Sequence, residues 1–247
     1  MDITTVAERI LQGGTRNAAV TGAGMSVESG VAPFRGKGGL WEKMDPMKVA
    51  HIDTFRQDPV PYWEMRGPFI ESLESIEPNP GHVALARLQQ QGLLGAIITQ
   101  NIDGLHAAAG STDVVEFHGN VRTLRCMECP ARIPSGEARL RDRPPRCACG
   151  GVLRPDVVFF GEAIPMEALV RSQEIAQDCA VMLVVGTSAV VQPAASIPVI
   201  ARRSGALVVE VNPERTPLTD QVADVFLEGP SGEVLPALVE AIGRLTG

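Results

Sequence analysis

No apolar run in the 247-residue sequence approaches the roughly 20 residues that a membrane-spanning helix needs. The first residues, Met1-Asp2-Ile3-Thr4-Thr5, also lack the basic and apolar regions of a secretion signal. There is no surplus of positive charge, because 22 basic residues face 29 acidic ones and the formal net charge is −7. Binding to nucleic acids depends on a basic surface, so we expect no direct nucleic-acid partner. We therefore expect a cytoplasmic protein with no membrane partner.

One local exception is the stretch from Arg122 to Arg154, which contains eight arginines and three acidic residues. Our first interpretation of this cluster is a solvated surface. A docking patch for an acidic partner is the alternative.

The sequence is 45% apolar, which is enough for the core of one large domain with a small satellite. Short apolar runs alternate with helical patterns, and this alternation predicts an α/β fold whose parallel sheet carries helices on both faces. The predicted strands are 18–21, 95–99, 114–117, 180–185, 207–211 and 225–227. The predicted helices are 3–11, 46–55, 61–75, 80–91, 104–109, 166–177, 194–203 and 232–245.

Small or polar residues follow four of these strands, and the carboxyl edge of a parallel sheet is where such folds bind ligands. Gly22-Ala23-Gly24 predicts a phosphate-binding turn, because glycine permits close backbone approach. The third glycine of the usual dinucleotide fingerprint is missing. The other strand ends carry Gln100-Asn101-Ile102-Asp103, Gly186-Thr187-Ser188 and Asn212-Pro213-Glu214. Repetition at four strand ends predicts a dinucleotide site.

Three residues at this edge are candidates for catalysis. His118 follows a predicted strand, and an imidazole suits a general base at neutral pH; a structural histidine is the alternative. Asn101 and Asp103 face the same side if the pleat continues, so that an amide and a carboxylate hold a carboxamide or orient a water. For Asp103, the alternative is an N-cap of the following helix.

The cysteines indicate a metal site. Cys126-x-x-Cys129 and Cys147-x-Cys149 form two pairs, and paired cysteines without a secretion signal indicate metal rather than disulfides. Four thiolates predict a structural Zn²⁺ with no open position for substrate, and a metal-free module is the alternative. The second pair has one residue fewer than the usual Cys-x-x-Cys spacing. The flexible Gly150-Gly151 that follows can relax the backbone of this turn. The surrounding segment from Asn120 to Asp156 is poor in large apolar residues, so we interpret it as an inserted satellite that metal stabilises.

The run Val157-Val158-Phe159-Phe160-Gly161-Glu162 follows this satellite. An exposed edge strand here pairs with a peptide through backbone hydrogen bonds. The alternative is a strand of the core. Both interpretations hold if one face of the strand packs in the core and the other faces the peptide.

Together these motifs resemble the sirtuin family of NAD-dependent protein-lysine deacylases. The resemblance covers nearly the whole chain in order. It rests on the stretches Gly22–Ser26, Gly30, Pro33–Gly36, Thr99–His106, Ala109-Gly110, His118-Gly119, the paired cysteines, Leu153-Arg154-Pro155, Val158–Glu162, Gly186–Ser188 and Asn212.

The resemblance implies one catalytic core over residues 1–247, with a Rossmann-like large part at about 1–35, 80–119 and 157–247. A helical insertion at about 36–79 and a zinc ribbon at about 120–156 then form the small part. NAD and an acyl-lysine peptide enter the cleft between these parts from opposite sides.

The resemblance also implies roles for single residues. His118, Asn101 and Asp103 are catalytic, with His118 as the general base. The residues that contact NAD are Gly22, Ala23, Gly24, Phe34, Arg35, Gln100, Asn101, Ile102, Asp103, His118, Gly186, Thr187, Ser188, Asn212, Pro213, Glu214 and Ser231. The residues that bind substrate are Val158, Phe159, Phe160, Gly161 and Glu162.

The implied reaction is NAD-dependent deacetylation of lysine in proteins or peptides, which yields nicotinamide, free lysine and O-acetyl-ADP-ribose. Family members that prefer succinyl or malonyl groups share a Tyr-x-x-Arg motif, and its two positions fall on Arg66 and Phe69 here. We therefore expect acetyl or another uncharged acyl group. The alternatives are mono-ADP-ribosylation, removal of other acyl groups and a non-catalytic NAD sensor.

Overall fold

The computed structural model describes residues 2–33, 39, 42 and 45–247. Its larger sheet has the strand order β3-β2-β1-β7-β8-β9, and every neighbouring pair is parallel. Its smaller sheet is antiparallel, with the order β5-β4-β6. The strands are β1 (Ala18–Thr21), β2 (Ala96–Thr99), β3 (Val114–Glu116), β4 (Gly119–Cys126), β5 (Arg132–Pro134), β6 (Leu153–Val157), β7 (Val181–Val185), β8 (Leu207–Asn212) and β9 (Val225–Glu228).

The predicted α/β class is confirmed by this sheet and by the helices around it. The described α-helices are α1 (Ile3–Gly13), α2 (Pro46–Val49), α3 (Ile52–Gln57), α4 (Val60–Ser72), α5 (Pro80–Gln90), α6 (Leu105–Ala108), α7 (Met166–Asp178), α8 (Ser196–Arg203), α9 (Pro217–Gln221) and α10 (Ser231–Thr246). Shorter 3₁₀ segments are Gly14–Arg16, Ala23–Ser29, Leu73–Ser75 and Ser135–Glu137. Within these described residues, no helix has the length and hydropathy to cross a bilayer.

Both faces of the parallel sheet are buried because successive side chains on each strand point in opposite directions. Ala19, Ile97 and Leu183 lie in a core with α1, α5 and α10. Their neighbours Val20 and Ile98 lie in the opposite core with α7 and α8. The strands are therefore apolar throughout, as expected for a parallel sheet with two covered faces.

A third core forms outside the parallel sheet. Phe55 and Trp63 from α3 and α4 pack there with Leu124 and Leu153 from the smaller sheet. The indole nitrogen of Trp63 donates to the carbonyl of Leu153 at 3.0 Å. The helical insertion and the cysteine-bearing segment thus share one core. The proposed boundaries of the two parts stay a prediction.

The predicted helix over 46–55 is wrong in one respect, because it is divided at His51 into α2 and α3. The division follows from pairing with the chain at Phe160. Phe160 N donates to Ala50 O and Ile52 N donates to Phe160 O, both at 3.0 Å. The edge strand predicted within 157–162 is accordingly reduced to this isolated bridge, since β6 ends at Val157.

Most arginines of the cluster between Arg122 and Arg154 form hydrogen bonds or ion pairs within this chain. Six of its eight arginines bond to acceptors of this chain: Arg122, Arg125, Arg132, Arg143, Arg146 and Arg154. A docking patch for an acidic partner therefore has fewer cations to offer than the sequence indicates.

Candidate active site

The ends of β1, β2, β7 and β8 form one wall of a cleft of about 980 Å³. The strands lie in register, with Thr21 opposite Thr99 and Val185. Because all of them are parallel, their carboxyl ends meet at the same edge. The four predicted strand-end motifs therefore come together.

The glycine turn after β1 packs directly on the turn after β7. Gly24 N donates to Gly186 O at 2.8 Å. A Cβ atom on Gly24 would lie 2.7 Å from the Gly186 Cα, and one on Gly22 would lie 2.6 Å from the Thr187 Cβ. Glycine is required at both positions because a side chain would collide with the turn at Gly186 and Thr187. The helix that follows is 3₁₀ rather than α, over Ala23–Ser29.

Asn101 and Asp103 are joined through Ser26, a residue that sequence reasoning did not assign. The Asn101 amide donates to the Ser26 Oγ at 3.0 Å and to Gly22 O at 3.0 Å. Ser26 in turn donates to the Asp103 carboxylate at 2.8 Å. Leu105 N donates to the other carboxylate oxygen at 2.9 Å, so Asp103 also serves the start of α6. Burial raises the pKa of Asp103, and these two hydrogen bonds oppose the rise.

His118 lies between β3 and β4 on the wall of the cleft. Its Nδ1 is 3.1 Å from the carbonyl oxygen of Gln100. A carbonyl only accepts, so Nδ1 carries the proton in this contact and Nε2 keeps its lone pair. Burial lowers the pKa of His118 below its usual value of 6.5, and the contact with Gln100 opposes this change. The imidazole is therefore neutral at pH 7 and able to accept a proton.

Hydrogen bonds also join the ends of β2, β7 and β8 to one another. Gln100 donates to the Thr187 Oγ1 at 3.1 Å, and Asn212 donates to Thr187 O at 3.0 Å. The buried carboxylate of Glu210 accepts from Thr216 at 2.6 Å and from Thr219. These contacts fix the loops after β7 and β8, which contribute Thr187, Asn212 and their neighbours to the cleft.

Another part of the cleft wall is the segment Val158–Glu162. Val158 N donates to the carbonyl of His118 at 2.9 Å, so this segment is attached directly to the histidine. The combination is a half-buried base, a glycine-lined strand edge and an extended segment around one cleft.

Comparison with known proteins agrees with this arrangement. The Sir2 family model matches residues 22–193, more than half of the chain. The chain belongs to the Sir2 family. An NAD-dependent protein deacylase from Pyrococcus furiosus is 46% identical over 244 residues, covering 96% of this chain and 97% of that protein.

Two solved structures are similar over their whole length. A complex of a Sir2 homologue with NAD has a TM-score of 0.92 and 40% identity, covering 100% of this chain and 96% of the other. A Sir2 structure with a p53 peptide and NAD⁺ has a TM-score of 0.89 and 34% identity, covering 99% of this chain and 100% of the other. The predicted resemblance to the sirtuins is thus confirmed.

As predicted for this Sir2 chain, the four cysteines form one cluster, with Sγ atoms all within 4.8 Å of one another. The Cys126–Cys149 and Cys129–Cys147 sulfurs are 3.5 Å and 3.8 Å apart. Sulfurs bound tetrahedrally at the usual Zn–S distance of about 2.3 Å are roughly 3.8 Å apart, so the cluster fits Zn²⁺. Gly151 leaves room for the cluster, because a Cβ there would lie 2.7 Å from the Cys126 sulfur. Four protein ligands leave no open position, so the site is structural.

The cleft brings together most of the predicted site residues. Those lining it are Gly22, Ala23, Gly24, Gln100, Asn101, Ile102, His118, Val158, Phe159, Phe160, Gly161, Glu162, Gly186, Thr187, Ser188, Asn212, Pro213 and Glu214. Asp103 is buried behind this wall, and Ser231 is buried with its hydroxyl directed to Glu28 at 3.2 Å. Phe34 and Arg35 lie outside the described residues. The roles assigned to all of these residues stay predictions.

Several parts of the cleft wall were not among the predicted site residues, although Arg66 entered the argument on acyl groups. Tyr62, Met65 and Arg66 contribute from α4, and Val191–Pro193 contribute from the loop after β7. Burial raises the pKa of Tyr62, while the nearby Arg66, whose side chain hydrogen-bonds to its hydroxyl, opposes the rise. The spacing of Tyr62 and Arg66, one helical turn, places both on one face of α4. That spacing was the available signal for the first part.

Proposed function

We propose that this protein is an NAD-dependent protein-lysine deacetylase that forms nicotinamide, free lysine and O-acetyl-ADP-ribose. The observation that carries the proposal is the single cleft that contains His118, the Gln100-Asn101 strand end and the segment Val158–Glu162. Acyl transfer from a lysine to a nucleotide needs a base, a nucleotide pocket and a peptide-binding edge. Support comes from the Sir2 relatives, which include an NAD complex and a complex with a p53 peptide.

NAD supplies the ribose that takes up the acyl group as nicotinamide leaves. The touching turns at Gly24 and Gly186 allow close backbone approach to its pyrophosphate. Asn101, whose amide nitrogen is held by Gly22 O and the Ser26 hydroxyl, presents its amide oxygen to the nicotinamide end. His118 accepts a proton from a ribose hydroxyl through Nε2, because Nδ1 is already bonded to Gln100. Asp103 accepts a hydrogen bond from Ser26 and so orients the hydroxyl that holds Asn101 in this pocket.

The test is nicotinamide release from NAD with and without an acetyl-lysine peptide, for the wild type and for His118→Ala. We expect release that requires the peptide, is lost in the variant and is accompanied by O-acetyl-ADP-ribose. Label transferred from NAD to a protein would support mono-ADP-ribosylation instead. NAD binding without release from any acyl peptide would support the non-catalytic sensor.

Arg66 favours a second candidate, the removal of acidic acyl groups such as succinyl. Its guanidinium lines the cleft beside Tyr62 and lies 4.3 Å from the centre of the Phe69 ring. A partly buried cation attracts a carboxylate more strongly than it attracts a neutral methyl group. The expectation of an uncharged acyl group stays a prediction, and a succinyl-lysine peptide measured beside the acetyl one decides between them.

The proposed partners are acetyl-lysine proteins or peptides, and the proposed location is the cytoplasm. The same proposal includes two further points. One is that the protein does not bind nucleic acids directly, and the other is that it divides into a Rossmann-like large part and a small part. The net charge of −7 supports the former. The separate apolar core around Trp63 and Leu153 supports the latter.

A further inference from the structure

Glu162 lines the cleft, but its carboxylate is used by the protein itself. Arg154 Nη1 and Nη2 donate to the two carboxylate oxygens, both at 2.7 Å. Phe159 N donates to the same carboxylate at 2.9 Å. Both carboxylate oxygens of Glu162 already accept hydrogen bonds from this chain, so we infer that Glu162 acts on a bound peptide only indirectly.

Arg154 is buried, with a residue exposure of 2%, and its Nε donates to Pro155 O at 3.4 Å. Its Nη2 also donates to Val157 O at 2.7 Å. The guanidinium lies 4.4 Å from the centre of the Phe159 ring. One side chain thus holds the beginning, the middle and the end of residues 157–162. A bidentate arginine–carboxylate pair fixes orientation as well as distance.

The other side of this stretch is attached to the rest of the cleft. Val158 N donates to the carbonyl of His118, and Phe160 exchanges two backbone hydrogen bonds with Ala50 and Ile52. Phe159 packs against Phe55 and Tyr62, with ring centres 5.0 Å and 4.8 Å apart. The shape of the stretch is therefore set by Arg154 on one side and by the histidine segment on the other.

We propose that Arg154 and Glu162 are a positioning pair, which holds residues 157–162 in the shape that receives the backbone of the substrate peptide. This inference rests on the proposed function. The hydrogen bonds of the pair go to each other and to the backbone of residues 155–159, and none of them goes to a predicted NAD residue. Loss of the pair therefore weakens use of the peptide and leaves use of NAD nearly unchanged.

The test variant is Glu162→Gln, which keeps the shape of the side chain and removes its charge. We expect the KM for an acetyl-lysine peptide to rise about tenfold, with the KM for NAD within about twofold of the wild type. Arg132→Gln is the matched control, because it removes an exposed arginine of the same ion network that pairs with Asp156. Its two KM values stay close to those of the wild type.

A merely structural role predicts a different result, in which both KM values or the folded fraction change together. Equal changes in both KM values, or an unchanged peptide KM, overturn the proposal. If Glu162→Gln does not fold, Glu162→Asp replaces it. That variant keeps the charge but shortens the reach to Arg154, and a smaller rise in peptide KM is expected.

Hydrogen–deuterium exchange separates this proposal from the proposed function. We expect the amides of residues 157–162 to exchange faster in Glu162→Gln than in the wild type, whether or not the protein deacetylates a peptide. Unchanged exchange contradicts the positioning role. If exchange is faster in Glu162→Gln but the wild type releases no nicotinamide with any acyl peptide, only the proposed reaction is contradicted.

Discussion

The Nδ1 atom of His118 lies 3.1 Å from the carbonyl oxygen of Gln100, so the histidine is held by the strand end that bears the predicted nicotinamide pocket. The contact fixes which nitrogen carries the proton. Burial nevertheless lowers the pKa of His118 below 6.5. The base is therefore active at pH 7 and becomes inactive only when acid protonates Nε2.

This relationship predicts the pH dependence of the reaction. We expect kcat/KM for an acetyl-lysine peptide to fall as the pH decreases, with an apparent pKa below the usual 6.5 of histidine. The measurement is nicotinamide release between pH 5 and pH 8, with circular dichroism at each pH to show that the protein stays folded. An acid limb well above pH 6.5, in a folded protein, would contradict the assignment of His118.

A second prediction concerns the touching glycine turns. Gly24→Ala places a methyl group 2.7 Å from the Cα of Gly186, so the two turns must separate. We expect a loss of about 1–3 kcal/mol of stability in urea unfolding, together with weaker NAD binding in calorimetry. Gly243→Ala is the matched control, because a Cβ there meets nothing within 4 Å. It lies inside α10, where alanine adds up to about 1 kcal/mol of stability. Equal NAD affinity in both variants would contradict the role of the glycine turn.

These residues show how far the sequence predicts the site. The glycine turn, the strand ends and His118 were predictable because each follows a short apolar strand, and parallel strands place such ends at one edge. The spacing of Tyr62 and Arg66 indicated a shared helix face but not the cleft, which they reach from α4 through tertiary packing around Phe159. The same cause divides the predicted helix at His51, where pairing with Phe160 overrides helical periodicity. Ser26 escaped assignment because its link to Asp103 spans 77 positions.

A third prediction concerns the metal. Cys129→Ser removes one of four clustered sulfurs, and we expect bound zinc to fall from one per chain to nearly none. Structural zinc contributes directly to folding, so Tm decreases by about 10 °C or more and activity falls with it. Cys179→Ala is the control, because Cys179 lies in the apolar core with Ala176, away from the cluster. Zinc retained at full stoichiometry in Cys129→Ser would contradict the four-thiolate site.

A fourth prediction concerns two buried histidines beneath β1 and β2. The rings of His82 and His106 are 4.9 Å apart, and His106 Nε2 lies 2.8 Å from the Thr21 hydroxyl. Burial lowers the pKa of His82 to about 4, and burial together with His82 lowers that of His106 to about 3. Between pH 6.5 and these values the unfolded chain binds more protons than the folded one. The free energy of unfolding therefore decreases as the pH falls through this window.

The effect of His82 alone is about 3 kcal/mol between pH 6.5 and pH 4, since one pKa unit corresponds to about 1.4 kcal/mol. Urea unfolding at pH 7, 5.5 and 4 measures it. His106→Gln removes one of the two titrating groups, so its stability should depend less steeply on pH than that of the wild type. Identical pH slopes for the two proteins would show that other groups cause the loss.

The last prediction decides between the two acyl groups. If the Arg66 guanidinium binds the distal carboxylate of a succinyl-lysine, then Arg66→Met lowers the ratio of succinyl to acetyl kcat/KM by about tenfold, the loss of one charge-assisted hydrogen bond. Tyr62→Phe removes the hydroxyl that bonds to Arg66, and an intermediate decrease is expected. Met65→Leu changes the neighbouring wall at nearly constant volume and should leave the ratio unchanged. A ratio that Arg66→Met does not alter would mean that the guanidinium only stiffens α4 against Phe69, and the acetyl group would then remain the better assignment.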